Sequence, residues 1–102
     1  MIINNLHWKI TINDNLNENI FGTTNYATQT IYLNPTCVME NIKRTLLHEV
    51  VHAFLYSYGL HCIESFDKET ICEFISHNLF NITEIYQQAL DELYHVARIG
   101  DK

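Results

Sequence analysis

Basic residues are scarce in this chain: six Lys and Arg stand against twelve Asp and Glu in 102 residues, a net charge of −6. The acidic residues are spread along the chain, and no basic stripe of the kind that neutralises phosphates is present, which argues against nucleic acid as a partner. Long apolar runs are also missing. None approaches the ~20 residues that a membrane-spanning helix needs, so no membrane partner is expected. The opening residues, Met1-Ile2-Ile3-Asn4-Asn5-Leu6, show no charged start, extended apolar stretch or small-residue cleavage site of a secretory signal, which predicts a cytoplasmic location. Cysteine is limited to Cys37, Cys62 and Cys72, an odd number without C-x-x-C spacing, so neither a disulfide framework nor a thiolate metal site is suggested. They are expected as small buried hydrophobes in a reducing compartment. One proline and three glycines leave few breaks, and no repeat, low-complexity tract or linker divides the chain. With 47% hydrophobic residues to fill one core, residues 1–102 are expected to form one compact domain.

The first third has the character of strands. His7-Trp8-Lys9-Ile10-Thr11-Ile12 alternates and is rich in β-branched residues, and Asn13-Asp14-Asn15 ends it as a turn. Residues 20–26 and 30–34 flank a short polar connection and predict a hairpin, closed by Pro35. Near Met39 the period becomes helical and continues to Ser57-Tyr58, with Gly59 placed as a C-terminal cap. Residues 60–66 read as a loop, and a second helix is expected from about Asp67 to Leu79. A third is expected from about Thr83, with Ile85, Ala89, Leu93 and Val96 on one face and Gly100 as its stop. The fold class is therefore α+β: a small antiparallel sheet of about three strands, followed by one long helix and two further helices.

The chemistry concentrates in the first helix. His48-Glu49-Val50-Val51-His52 reads H-E-x-x-H. Residues four apart on a helix share a face, so both imidazoles can hold one metal ion, and Glu49 can reach a water bound to that ion and act as general base. Zinc suits two neutral imidazoles and a carboxylate with one position left open. Six His are enough for the pattern to arise by chance, so its surroundings matter. Leu46, Leu47, Val50, Val51, Ala53, Phe54 and Leu55 predict a helix buried nearly all round, in which polar groups need partners.

A hydrolytic zinc site needs a third protein ligand. Glu69 and Glu73, four apart on the second helix behind Asp67 as its N-cap, are the obvious carboxylates. One can ligate the metal while the other accepts a hydrogen bond from the distal nitrogen of a ligating His. Spacing alone does not choose between them.

These residues resemble the gluzincin clan of zinc metallopeptidases, and within it the small ImmA/IrrE-like and phage-encoded members. In that clan H-E-x-x-H is followed on a second helix by a Glu ligand and, four residues later, an acidic or amide residue. Asn25-Tyr26-Ala27-Thr28-Gln29-Thr30-Ile31-Tyr32-Leu33-Asn34 resembles the hairpin before the active-site helix, and Thr45-Leu46-Leu47-His48-Glu49 resembles the T-L-x-H-E opening. The second-helix pattern E-x-x-A-D/N-x-F-A falls on Glu69, Cys72, Glu73, Ile75 and Ser76. The resemblance covers roughly residues 20–80 and implies Glu69 as third ligand, with Glu73 holding a ligating His. It implies a zinc-dependent peptide-bond hydrolase of a phage or mobile element, acting on a peptide or protein, with the strand of residues 30–34 as the sheet edge that takes the substrate. A basic-tailed SprT-like protease is disfavoured by the charge.

His7, His61, His77 and His95 are further possible ligands or acid–base groups, and His77 stands out because it lies four residues beyond Glu73. Tyr26, Tyr56, Tyr58, His61 and His77 could each donate to a tetrahedral oxyanion. Tyr86, Leu90 and Tyr94 are expected in the core. Two other readings compete: a catalytically inactive metal-binding regulator or adaptor of mobile-element origin, which would have no need of Glu49 as a base, and a metal-free helical interaction protein.

Overall fold

The computed structural model describes residues 1–16, 19–36, 38–60 and 67–97. Strands β1 (Ile2–Ile3), β2 (Leu6–His7), β3 (Lys9–Ile12), β4 (Gly22–Asn25) and β5 (Thr30–Leu33) precede helices α1 (Met39–Ser57) and α2 (Lys68–Ala97). The α+β class is as expected, with two differences in its parts.

The sheet is mixed, not antiparallel. Its order is β3-β5-β4, with β5 antiparallel to β4 and parallel to β3. The expected hairpin is present as β4 and β5, but it docks with β5 inward, so residues 30–33 form the central strand and β4 the edge. Burial explains this choice. Thr30, Ile31 and Leu33 are all at most 4% exposed, a two-sided burial that only a middle strand offers, whereas β4 (Gly22-Thr23-Thr24-Asn25) has no large apolar side chain to hide. Paired residues share a face, so Ile10, Ile31 and Thr24 form one row and Ile12, Leu33 and Gly22 the next. The helices cover this face.

The second difference lies in α2, a single 30-residue helix where two were expected. No Gly or Pro occurs between residues 68 and 97, and the polar residues near the expected break are satisfied inside the helix. Thr83 Oγ1 donates to Leu79 O at 2.8 Å and Asn78 Nδ2 to Phe74 O at 2.9 Å. At 1.5 Å per residue the helix is about 45 Å long, which matches the 45 Å long axis of the molecule. Its second half packs through Ile82, Ile85, Ala89 and Leu93, while Val96 is exposed. Its first half projects past the core and leaves Ile71, Ile75, Leu79 and Phe80 exposed. Cys72, expected to be buried, is exposed on this half; Cys37 and Cys62 lie outside the described residues. Asp67 caps the helix, accepting Thr70 N–H at 2.7 Å, and that bond holds its carboxyl below the ordinary range.

Helix α1 matches its expected span. Gly59, at φ 75°, ends it, with Gly59 N–H donating to Tyr56 O and Leu60 N–H to Leu55 O in a Schellman arrangement. A feature not foreseen in the sequence closes the same end. Asn4 and Asn5, at φ 49° and 68°, form the two-residue loop of a β1–β2 hairpin. Asn4 Nδ2 donates to Ser57 O, and Trp8 Nε1 to Ser57 Oγ, both at 2.9 Å. The hairpin thus satisfies a carbonyl that the helix end leaves open. α1 is not buried all round: Ile42, Leu46, Glu49, Val50, Ala53, Phe54 and Ser57 face inward, while Leu47 and His48 are exposed. A two-layer domain covers one side of α1 with sheet and another with α2, which leaves the rest to solvent.

Of the three α2 residues expected in the core, two, Tyr86 and Leu90, pack against it. Tyr86 Oη donates to Lys43 O at 3.0 Å, and burial pushes its phenol up. Lys43 Nζ also sits 5.8 Å from the Tyr94 ring centroid.

Candidate metal centre

The motif helix brings its residues together as its spacing requires. His48 Nε2 and His52 Nε2 stand 3.1 Å apart. Two imidazoles bound at about 2.0–2.1 Å to one tetrahedral ion would hold their nitrogens about 3.3 Å apart, so the pair fits a shared metal. Glu49 lies between them in sequence but turns inward and is 7% exposed, the one buried carboxylate among the described residues. Its partner is Thr24, whose Oγ1 donates to Glu49 Oε1 at 2.6 Å.

Strand β4 supplies more than this bond. Alternate residues along β4 and just beyond it meet α1 in order: Gly22 against Thr45, Thr24 on Glu49, and Tyr26 Oη 3.5 Å from His52 Nδ1. Strand residues two apart and helix residues three or four apart advance by similar distances, about 6.6 and 4.5–6 Å, so the two elements stay in step. Gly22 permits the close approach. A Cβ built there would lie 2.7 Å from Thr45 Cγ2 and 3.1 Å from Tyr32 O. Thr45 is β-branched and stiff in a helix, so it cannot swing aside cheaply. Gly22→Ala is therefore expected to cost about 1–3 kcal/mol and to lift Thr24 off Glu49. Adding Thr45→Ser, which removes Cγ2, should recover most of the loss in thermal unfolding; full additivity of the two changes would show that this contact is not the cause.

Tyr26 stacks on Tyr56, with ring centroids 4.8 Å apart and an interplanar angle of 4°, and Tyr56 meets Trp8 edge-on at 5.9 Å. The site is thereby tied into the core beneath the N-terminal hairpin. Sequence reading named Tyr26 and Tyr56 only as two of several possible oxyanion donors and missed Thr24 and Gly22. Nothing local marks them, since their roles come from strand-to-helix register.

The second-helix residues are not gathered here. Ile71, Phe74 and Ile75 face α1, where they line a recess of about 230 Å³ with Leu55, and Phe74 meets Phe54 at 6.1 Å. At 100° per residue Glu69 and Glu73 fall on the opposite side of α2, and both are exposed. Among the described residues, no third His, Cys, Asp or Glu joins the His pair in a group that could hold a metal. His77 is exposed, its Nδ1 2.9 Å from Glu73 O and 3.5 Å from the Glu73 carboxylate. His7 and His95 are exposed, Tyr58 caps α1 at its far end, and His61 lies outside the described residues.

No helix among the described residues is long and apolar enough to cross a membrane. In comparison with known proteins, the chain matches no protein-family model, no curated protein and no solved structure, so its own residues carry the functional reading.

Proposed function

We propose that the protein is a small cytoplasmic zinc-dependent peptidase, with His48 and His52 as metal ligands and Glu49 as general base. The observation that supports it most is the convergence of the two Nε2 atoms to 3.1 Å beside a buried carboxylate on the same helical turn. Zinc bound there would supply a water acidified toward neutrality and a polarised carbonyl. Glu49, with one oxygen held by Thr24, would use the other to take a proton from the nucleophile and return it to the leaving amine.

The sheet favours one route for the substrate. At the β3 edge the Ile10 N–H already donates to Glu92 Oε2 at 2.9 Å. The β4 edge has no strand beyond it among the described residues, and it is the edge beside Glu49 and His52. An extended peptide would add to β4, not to residues 30–34. The apolar recess begins at Leu55, one turn beyond His52 on the same face of α1, and would take an aliphatic or aromatic side chain of that peptide.

Glu69 is proposed as third ligand, a role that requires the first turn of α2 to bring it over the His pair from its exposed position. Its absence from the pair as it stands favours a second reading, a metal-binding regulator without catalysis. Zinc content and chelator competition separate these. One zinc per chain is expected, lost in His48→Ala and weakened more by Glu69→Ala than by Glu73→Ala. Zinc near zero that added metal does not restore sinks the metal reading. Parental affinity in Glu69→Ala removes that residue from the site and turns the balance to the regulator.

A further inference from the structure

We propose that Tyr26 is the positioning residue for His52: its hydroxyl oxygen accepts the Nδ1–H of His52 and so leaves the Nε2 lone pair aimed at the metal position. This rests on the reading of His48 and His52 as a metal pair. It moves the support of that pair from α2, where Glu73 was expected to provide it, to the end of β4.

Histidine tautomer chemistry requires such a partner. A neutral imidazole carries one proton, and it can bind a metal through Nε2 only when that proton is on Nδ1. A group that accepts from Nδ1 selects this form and fixes the ring plane. In this structure the polar atom opposite His52 Nδ1 is Tyr26 Oη at 3.5 Å, while Glu73 is exposed on the far side of α2. At that length the contact is at the outer limit of hydrogen bonding. It is expected to shorten when Nδ1 holds the proton.

The rest of the pair is consistent with the same assignment. With Nδ1 protonated, His52 Nε2 is an acceptor, and His48 Nε2–H can donate to it across the 3.1 Å gap. The chain of bonds then runs from His48 to His52 to Tyr26, and for His48 to bind metal through Nε2 its proton moves to its own Nδ1, so that both ligands end as neutral Nδ1–H imidazoles. The opposite direction, with Tyr26 donating to Nδ1, would put the proton on His52 Nε2 and block the ligand position. The near-parallel stack on Tyr56 holds the phenol ring in place, and Tyr56 is itself set by Trp8. Tyr26 is thus placed by a packed aromatic ladder, which costs little entropy when the metal binds.

The test is the imidazole nitrogen spectrum of the metal-free protein at a pH where both His are neutral, read beside chelator competition. In the parent, His52 is expected as the Nδ1–H tautomer. Tyr26→Phe keeps the stacked ring and removes the acceptor, so His52 should move to the Nε2–H tautomer that free imidazole side chains prefer, and zinc affinity should fall about 10–100-fold with thermal unfolding unchanged. Thr23→Val alters the same strand at an exposed position on its other face and should leave both readouts at parental values. An Nε2–H tautomer in the parent, or a tautomer unmoved by Tyr26→Phe, overturns the proposal. A parent that shows the Nδ1–H tautomer but takes up no zinc sinks the metal reading instead, while the response of the tautomer still decides the role of Tyr26.

Discussion

Replacement of Glu49 by Gln is expected to leave the fold and the metal site intact while hydrolysis of any cleavable peptide falls by about two to four orders of magnitude. Glutamine has the same shape, and its amide oxygen can still accept the Thr24 hydroxyl that now bonds Glu49 Oε1 at 2.6 Å. His48 and His52 are on the same helix but do not depend on Glu49 for their approach, so zinc content should match the parent. Only the proton-accepting oxygen is lost. Stability should not drop either, since a neutral amide replaces a carboxylate that is 7% exposed and costly to desolvate. The measurements are kcat on a peptide substrate, zinc stoichiometry and thermal unfolding of both proteins. A variant that cleaves at the parental rate removes Glu49 as the base, and one that loses zinc shows that it acts as a ligand.

Phe54→Ala is expected to cost about 3–5 kcal/mol, a large part of the roughly 5–15 kcal/mol that holds a domain of this size together. Phe54 is 1% exposed and sits where the two helices and the end of α1 meet: its ring lies 6.1 Å from that of Phe74 and 4.7 Å from that of Tyr58. The projecting first half of α2 has few other anchors, because Ile71, Ile75, Leu79 and Phe80 are exposed. The cavity would therefore loosen α2 as well as the core. Thermal unfolding should fall by more than ~12 °C, at roughly 4–8 °C per kcal/mol. A loss below about 1 kcal/mol would mean that neighbouring side chains collapse into the space and that Phe54 does not anchor α2.

Helix α1 was legible to the residue because each of its signals is local. The apolar period starts at Met39, Gly59 supplies the left-handed cap, and the H-E-x-x-H spacing needs nothing beyond 3.6 residues per turn to bring two imidazoles together. The β4–β5 hairpin was legible for a similar reason, since alternation and a short polar turn are set by neighbours in sequence. Helix α2 was expected to break between Leu79 and Thr83, a stretch flanked by the polar side chains of Asn78 and Thr83. Those side chains can return their hydrogen bonds to the preceding turn, and without Gly or Pro nothing forces a stop.

What the sequence determined by itself is the fold class, the span of the motif helix and the approach of His48 to His52, all consequences of backbone periodicity. Only the tertiary structure decided which strand lies at the sheet edge, which side of α2 faces α1, and which residues lie beside the pair. Local pattern shows that Glu69 and Glu73 share a face, but the burial of Phe74 against Phe54 is what turns that face outward. Local pattern gives Thr24 and Tyr26 no distinction either. They reach Glu49 and His52 because Gly22 lets β4 lie close along α1, and a close approach between elements distant in sequence is set by packing, which no single segment encodes.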